Sequence, residues 1–390
     1  MARREIASRI GRLVSCVIAV TATAGCGDDA VNNASARWTL EGPAVVIASE
    51  ESGTTPPIGS ARFGARLSNG RIVVADHQAA DLKFFDADGK YVRSAGGRGG
   101  GPGEFRLILS MLRLPGDTIA VWSPPWLNLF DANGDFAGRE LFDLDSPTGE
   151  EPFGFLALPD RALLVLIEQR ADAPPESGLH RSEMDYHRQP RGGAATHLTR
   201  TPWVASFYDR GVPVSGPLFT INSEHAIGAT RVYVGDNAGD TIHVFDASGQ
   251  SLQPIVIGGE PRAPTREELD GAVADRIALA KRLVSRGPTT FSVQDVERLM
   301  PKVRDVSVYP RFRSLHPGPN DELWVEEYAP ADSLHRRWLV YDADARLIAD
   351  MLMPRRLEVF EIGTDYILGT HRDELDRDEI RLYRVARGLH

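Results

Sequence analysis

The chain has 390 residues, 42% hydrophobic and 25% charged, a balance that supports a large buried core and argues against disorder throughout. Its 44 Lys plus Arg face 54 Asp plus Glu, a net charge of -10, and no basic stripe stands out, which argues against nucleic acid as a partner. Both cysteines, Cys16 and Cys26, fall in the first 26 residues, so the rest of the chain can hold no disulfide.

Arg3, Arg4, Arg9 and Arg12 precede an apolar stretch from Leu13 to Ala24, the layout of a secretory signal peptide over residues 1–25. That stretch is too short to span a bilayer as a helix, which needs roughly 20 residues. Thr23-Ala24-Gly25-Cys26 resembles a bacterial lipobox, with Thr23 in place of the usual aliphatic residue. The resemblance implies lipidation of Cys26 and attachment to a membrane; the other reading is an ordinary signal peptide with a chance cysteine. Gly27 gives no inner-membrane retention signal, so the outer membrane or periplasmic face is the expected address. Residues 26–37 are small and polar, as a flexible tether would be.

The folded part is expected over 38–390. Trp38 to Ile47 is β-rich and is expected to pair with the last strands, so that no long sheet edge stays open. A repeat follows. Phe85-Asp86-Ala87-Asp88-Gly89, Phe130-Asp131-Ala132-Asn133-Gly134 and Phe245-Asp246-Ala247-Ser248-Gly249 are near copies, and Tyr341-Asp342-Ala343-Asp344-Ala345 is a degenerate fourth. Each follows a short apolar run: Arg71 to Ala75, Thr118 to Trp122, Arg231 to Gly235 and Glu322 to Val325. The acidic element reads as a hairpin turn in which Gly takes the positive φ. An EF-hand would need a twelve-residue loop closed by Glu, and none is present.

Two further units keep an apolar strand without the turn: Arg161 to Ile167, and Tyr366 to Gly369 with Glu379 to Val385. Six units at a period of about 45 residues predict an all-β, six-bladed β-propeller. The third unit, between about Pro159 and Tyr208, has no clear edges. Between the fourth and fifth units the pattern turns helical over about 264–302, with Leu269, Val273, Ile277, Ala280 and Val284 at spacings of three and four. Thr265 and Glu268 form a capping box, Gly287-Pro288 is expected to end this helix, a second is expected from Ser292, with Phe291 and Val296 at staple spacing, and Pro301 is expected to stop it.

The run from Arg71 to Phe105, RIVVADHQAADLKFFDADGKYVRSAGGRGGGPGEF, resembles the NHL-like repeats of bacterial six-bladed propeller lipoproteins. Glu322 to Val325, Trp338 to Asp344 and Tyr366 to Val385 resemble them too. The resemblance implies the fold; for most such lipoproteins it implies no established activity.

In an antiparallel blade the acidic turns and Asn69-Gly70 share one face, while the loops after Asp76-His77 and Asp236-Asn237, the connector Gly96 to Gly103 and the helical insertion share the other. That second face is the one elaborated beyond structural need, and a channel mouth there is the expected site. The glycine-rich connector lacks the Lys-Ser/Thr of a phosphate loop and reads as a passage between blades. No Gly-x-Ser-x-Gly or His-Glu-x-x-His occurs, and His77, His197, His225 and His316 lack ligand spacing.

Two readings of function stand. In the first, a non-catalytic binding or scaffold protein presents Asp76, His77, Asp236, Asn237 and Glu326 to a protein, peptide or glycan. In the second, the chain is similar to six-bladed lactonases, and Asp76, Asp236, Asn237 and Glu326 hold calcium at the channel mouth for hydrolase or lyase chemistry. The bland alternative for each aspartate is a hydrogen bond to its own loop backbone.

Overall fold

A computed structural model of the protein describes residues 36–48, 58–144, 146–169, 176–209, 212–260, 262–286, 292–330, 333–372 and 377–388. The signal segment, Cys26, Gly287-Pro288 and Phe291 lie outside them. Six antiparallel sheets follow one another along the chain. The first runs from the inner strand Ala61–Arg66 through Ile72–Asp76 and Asp81–Phe85 to the outer strand Tyr91–Gly96. The second, third and fourth begin at Ser110–Leu114, Gly154–Ala157 and Ser223–Ile227, the fifth at Phe312–Pro317 and the sixth at Leu357–Ile362.

The apolar runs that mark the repeat are the second strands, and their burial explains their composition. Ile72–Asp76 is buried along its whole length. Val73 and Ala75 pack with Ile119 and Val121 of the second sheet, whereas Ile72 and Val74 pack with Leu368 and Ile380 of the sixth. Side chains still alternate between two faces, but both faces meet a neighbouring blade, so neither can be polar. In the second sheet Ile119 and Val121 face the first blade and Ala120 and Trp122 face the third.

The four acidic turns share one geometry. Asp86 Oδ1 accepts from the N–H groups of Asp88 and Lys90, Asp131 from Asn133 and Asp135, Asp246 from Ser248 and Gln250, and Asp342 from Asp344 and Arg346, all at 2.8 to 3.1 Å. The closing residue has positive φ every time, as the turn requires.

The ring closes where the sequence predicts. Thr39–Ala48 pairs antiparallel with Asp378–Ala386, placing the N-terminal strand at the outer edge of the sixth sheet. Two residues earlier, Ala36–Arg37 pairs in parallel with the outer strand of the fifth sheet, Leu347–Pro354. Trp38, between them, packs at a tilt of 53° against Trp324, with ring centroids 5.5 Å apart, and lies under the Arg387 guanidinium.

The third sheet departs from the others. It starts at Gly154, ahead of the expected edge, and has five strands; Ser177–Gln189 and Thr196–Asp209 form a long ribbon, and Val212–Ser215 follows. Between the outer strand Ile255–Val256 of the fourth sheet and the fifth sheet lie α1 (Arg266–Arg286) and α2 (Val293–Asp305). Thr265 and Glu268 exchange the capping-box bonds, and Ser292 with Asp295 does the same for α2. Pro301 does not stop α2, which continues to Asp305. Leu299, Met300 and Val303 are buried against Phe207 and Leu218, and this packing on both sides of the proline offsets its missing N–H. Among the described residues no helix is long and apolar enough to cross a membrane.

Candidate functional site

The sheets surround one axis, and a cavity opens at each end of it. At the end carrying the acidic turns, a cavity of about 770 Å³ is lined by residues from all six blades. Glycines and prolines of the hairpins share its wall with Arg66, Arg113, Asp160, Glu361, Asp365 and Tyr366. Its half-buried acid, Glu361, already accepts from the Arg66 N–H at 2.6 Å and the Tyr366 hydroxyl at 2.8 Å.

Asp76, His77, Asp236, Asn237 and Glu326 all sit at or just past the ends of second strands, on the opposite face, as the repeat predicts. Both aspartates accept hydrogen bonds from their own loops, Asp76 from Gln78 and Ala79 and Asp236 from Ala238, as the plainer reading of the sequence expects, whereas their cationic partners were not legible. Asp76 is fully buried and accepts from the N–H groups of Gly59, Ser60, Gln78 and Ala79, with Lys83 Nζ at 3.2 Å. Burial pushes its pKa up, but the backbone donors and Lys83 outweigh burial and hold it below the usual value. The His77 N–H donates to Ser60 O at 2.8 Å. Asp236 accepts from Arg181 Nη1 and Nη2, at 2.8 and 2.7 Å, and from the Ala238 N–H at 3.1 Å. Asn237 exchanges two hydrogen bonds with Asn222, at 2.9 and 3.0 Å. Glu326, 1% exposed, faces Arg313 at 3.0 Å and Arg336 at 2.6 Å. The oxygens that a calcium ion would draw on thus already face protein donors, three of the four through a Lys or Arg. Of these residues Asn237 alone lines the helix-side cavity; Glu326 lies directly behind its wall.

That cavity, about 530 Å³, is built by the fourth, fifth and sixth blades and by the connectors that flank the helices. Its apolar wall comes from chain with no periodic pattern. Phe219, in the connector from the third blade, lies 4.4 Å from Tyr309, which follows α2, and Tyr309 lies 4.8 Å from Tyr328. Arg262 sits 5.4 Å over the Tyr309 ring and pairs with Glu268 at the start of α1, so the insertion braces the aromatic wall. Burial, with Glu268 nearby, pushes the Tyr309 hydroxyl up to about 12.

The polar wall faces the axis. Glu224, on an inner strand, is pushed up to about 7 by burial, against the one bond it accepts from Asn222 Nδ2 at 2.8 Å. His316 is pushed down to about 4 by burial and is therefore neutral at pH 7. Its Nε2 lies 3.0 Å from Ser314 Oγ, whose own proton goes to Glu326. The histidine nitrogen therefore donates to the serine, the reverse of a base activating a nucleophile. Arg313 bridges Glu326 and Glu358 at the rim. The cavity is thus lined by two aromatic residues, Phe219 and Tyr328, together with a carboxyl whose pKa burial raises, an arginine and two amides. This arrangement can bind a ligand with one apolar face and several hydroxyl or amide groups.

Sequence reading missed Phe219, Tyr309, Tyr328, Glu224 and Arg313. The three aromatics stand outside the repeated segments. Glu224 did carry a signal, as an acid in a strand, Ser223–Ile227, that lines the axis.

Six sheets in ring order, with the N-terminal strand Thr39–Ala48 paired to the last strand Asp378–Ala386, define a six-bladed β-propeller. A family described as a 6-bladed beta-propeller, DUF5128, matches residues 65–112, most of the first blade and the inner strand of the second. No curated protein matches the chain. Among solved structures it is similar to a protein of Bacteroides fragilis, at 14% identity with 90% of this chain and 96% of that one covered and a TM-score of 0.44. It is also similar to a DUF4221 family member of Bacteroides vulgatus, at 13% identity, 90% and 99% coverage and a TM-score of 0.48. The calcium-binding protein regucalcin of Agrobacterium tumefaciens matches at 12% identity, 90% and 96% coverage and a TM-score of 0.40. At this level of likeness nothing about ligand or activity carries over.

Proposed function

We propose that the chain is exported, anchored by lipid on Cys26, and acts as a binding protein that takes a glycan or peptide ligand in the helix-side cavity. The observation that carries the reading is that Phe219 and Tyr328 line one cavity of about 530 Å³ together with Glu224, Asn222 and Arg313. Aromatic faces stack on the apolar side of a sugar ring or on a peptide side chain, while the carboxyl, amides and guanidinium pair with hydroxyl or amide groups. Loops and an insertion beyond the needs of the ring converge there, as expected of a functional mouth on a rigid scaffold.

The test is an array of bacterial glycans and short peptides probed with the full chain, followed by calorimetry on the hits. Tyr328→Ala is expected to weaken binding by about tenfold or more, since a stacked aromatic in a desolvated pocket contributes on the order of 1–2 kcal/mol. Hits that Tyr328→Ala and Glu224→Gln leave unchanged would move the site elsewhere on the ring. For the anchor, Cys26→Ser is expected to shift the protein from the membrane pellet to the soluble fraction.

A further inference from the structure

Away from the axis, the outer ribbon of the third blade brings together Asp185, His187 and His197. One ligand atom from each lies within 4.8 Å of the others. Asp185 and His187 are two residues apart on Ser177–Gln189 and share the face of Ile167 and Val165, their partners on the second strand. On the neighbouring strand the register slips between the pairs Tyr186↔Thr199 and His187↔His197, leaving Leu198 as an extra residue. Without that bulge, Arg200 and His197, three residues apart, would point to opposite faces. The bulge turns both toward Asp185, the re-aiming that such irregularities perform next to sites.

Hydrogen bonding leaves the cluster incomplete. His187 is 8% exposed, and its Nε2 has no partner among the described residues. The rings of His187 and His197 lie edge to face at 5.1 Å, and His197 Nε2 is 3.1 Å from Asp185 Oδ1. Arg200 holds the same carboxylate through two bonds, at 2.7 and 2.6 Å. Its charge is offset by Glu183 at 3.4 Å and by Glu150, which acts on both His187 and Arg200.

We propose that Asp185, His187 and His197 form a binding site for a divalent transition-metal ion of the zinc type. Two imidazole nitrogens and one carboxylate oxygen are a donor set for zinc, whereas calcium calls for oxygen donors. The ion replaces the hydrogen bond between His197 and Asp185 and gives the buried Nε2 of His187 its missing partner. Arg200 keeps its hold on the carboxylate as an outer partner that orients the ligand. Cross-linking two neighbouring strands, the ion pins the long ribbon of the third blade. The site is independent of the axial cavity and of the ligand reading above.

The full chain, stripped with EDTA, is titrated with zinc chloride by calorimetry and followed by thermal unfolding. One zinc ion per chain and a raised melting temperature are expected, with no effect of calcium at the same concentration. His197 is 51% exposed, so His197→Ala leaves the fold intact and is expected to weaken zinc binding at least about tenfold. Cobalt in place of zinc is expected to give visible absorption bands that His197→Ala removes. A wild-type chain that binds no zinc, or a His197→Ala chain that binds it as tightly as the wild type, overturns the proposal.

Discussion

Ala345 occupies the position at which three sister turns carry glycine. Gly89, Gly134 and Gly249 close their acidic turns at φ of 83°, 83° and 90°, and Ala345 adopts 63° in the fourth. A residue with a Cβ pays about 1–2 kcal/mol in that region. Ala345→Gly relieves this cost but gives back about 0.4–1 kcal/mol through the greater freedom of glycine in the unfolded chain. A net gain of roughly 0.5–1 kcal/mol in urea unfolding is expected. The reverse change at Gly134 meets a second obstacle, since a Cβ there would lie 2.7 Å from the Phe84 ring. Gly134→Ala is expected to destabilise by about 2 kcal/mol or more, as strain and overpacking add.

Glu224 provides a pH signature of the cavity itself. Its folded pKa of about 7 lies above the ordinary 4.5, so the folded state holds a proton that the unfolded chain has released. That contribution to stability is complete below about pH 4.5 and disappears as pH rises through 7. Glu224→Gln mimics the protonated acid. The variant is expected to match the wild type at pH 4.5 to 5 and to melt higher than it at pH 8, the gap opening between those limits.

At the scale of the strand, the ends of the second strands show what sequence can and cannot tell. Asp76 and Asp236 occupy the same place in the repeat, and that place was legible from the apolar run before each. In the first blade the counter-charge is Lys83, seven residues on, itself buried and shared with Asp81 at 2.6 Å. Seven residues after Asp236 stands His243, and the cation comes instead from Arg181 in the third blade. Glu326 draws on Arg313 and Arg336 from the two strands beside it. A period reveals position within a blade, but charge pairing across blades depends on side-chain reach, which leaves no periodic trace. Lys83→Met tests how much the buried pair matters. It leaves Asp76 buried without its cation and is expected to cost about 3–5 kcal/mol in denaturant unfolding. Arg181→Met should cost less, because Asp236 is 19% exposed and water can take over part of the role.

For the whole ring, the decisive contact joins the two ends of the described chain, and it too was legible, because a β-rich segment before the first repeat has no partner unless the last blade lacks a strand. The helical insertion could be read from its 3.6-residue period. The cavity it braces could not, because Phe219, Tyr309 and Tyr328 meet only after the connectors fold. Ring closure can be tested by truncation. Removing residues 1–35 leaves every described contact in place, and the melting temperature should not change. Removal through Ala48 deletes the outer strand of the sixth blade and strips Trp38 from Trp324 and Arg387. The strand Asp378–Ala386 then presents an open edge able to pair with a second copy. Size-exclusion chromatography with light scattering is expected to show oligomers or aggregate, together with a lower melting temperature. Trp38→Ala in the full chain separates the two effects, because it keeps the strand pairing and removes the buried ring. It is expected to cost about 3–5 kcal/mol while the protein stays monomeric. A monomeric, fully stable product of the longer truncation would mean that the ring holds without its closing strand.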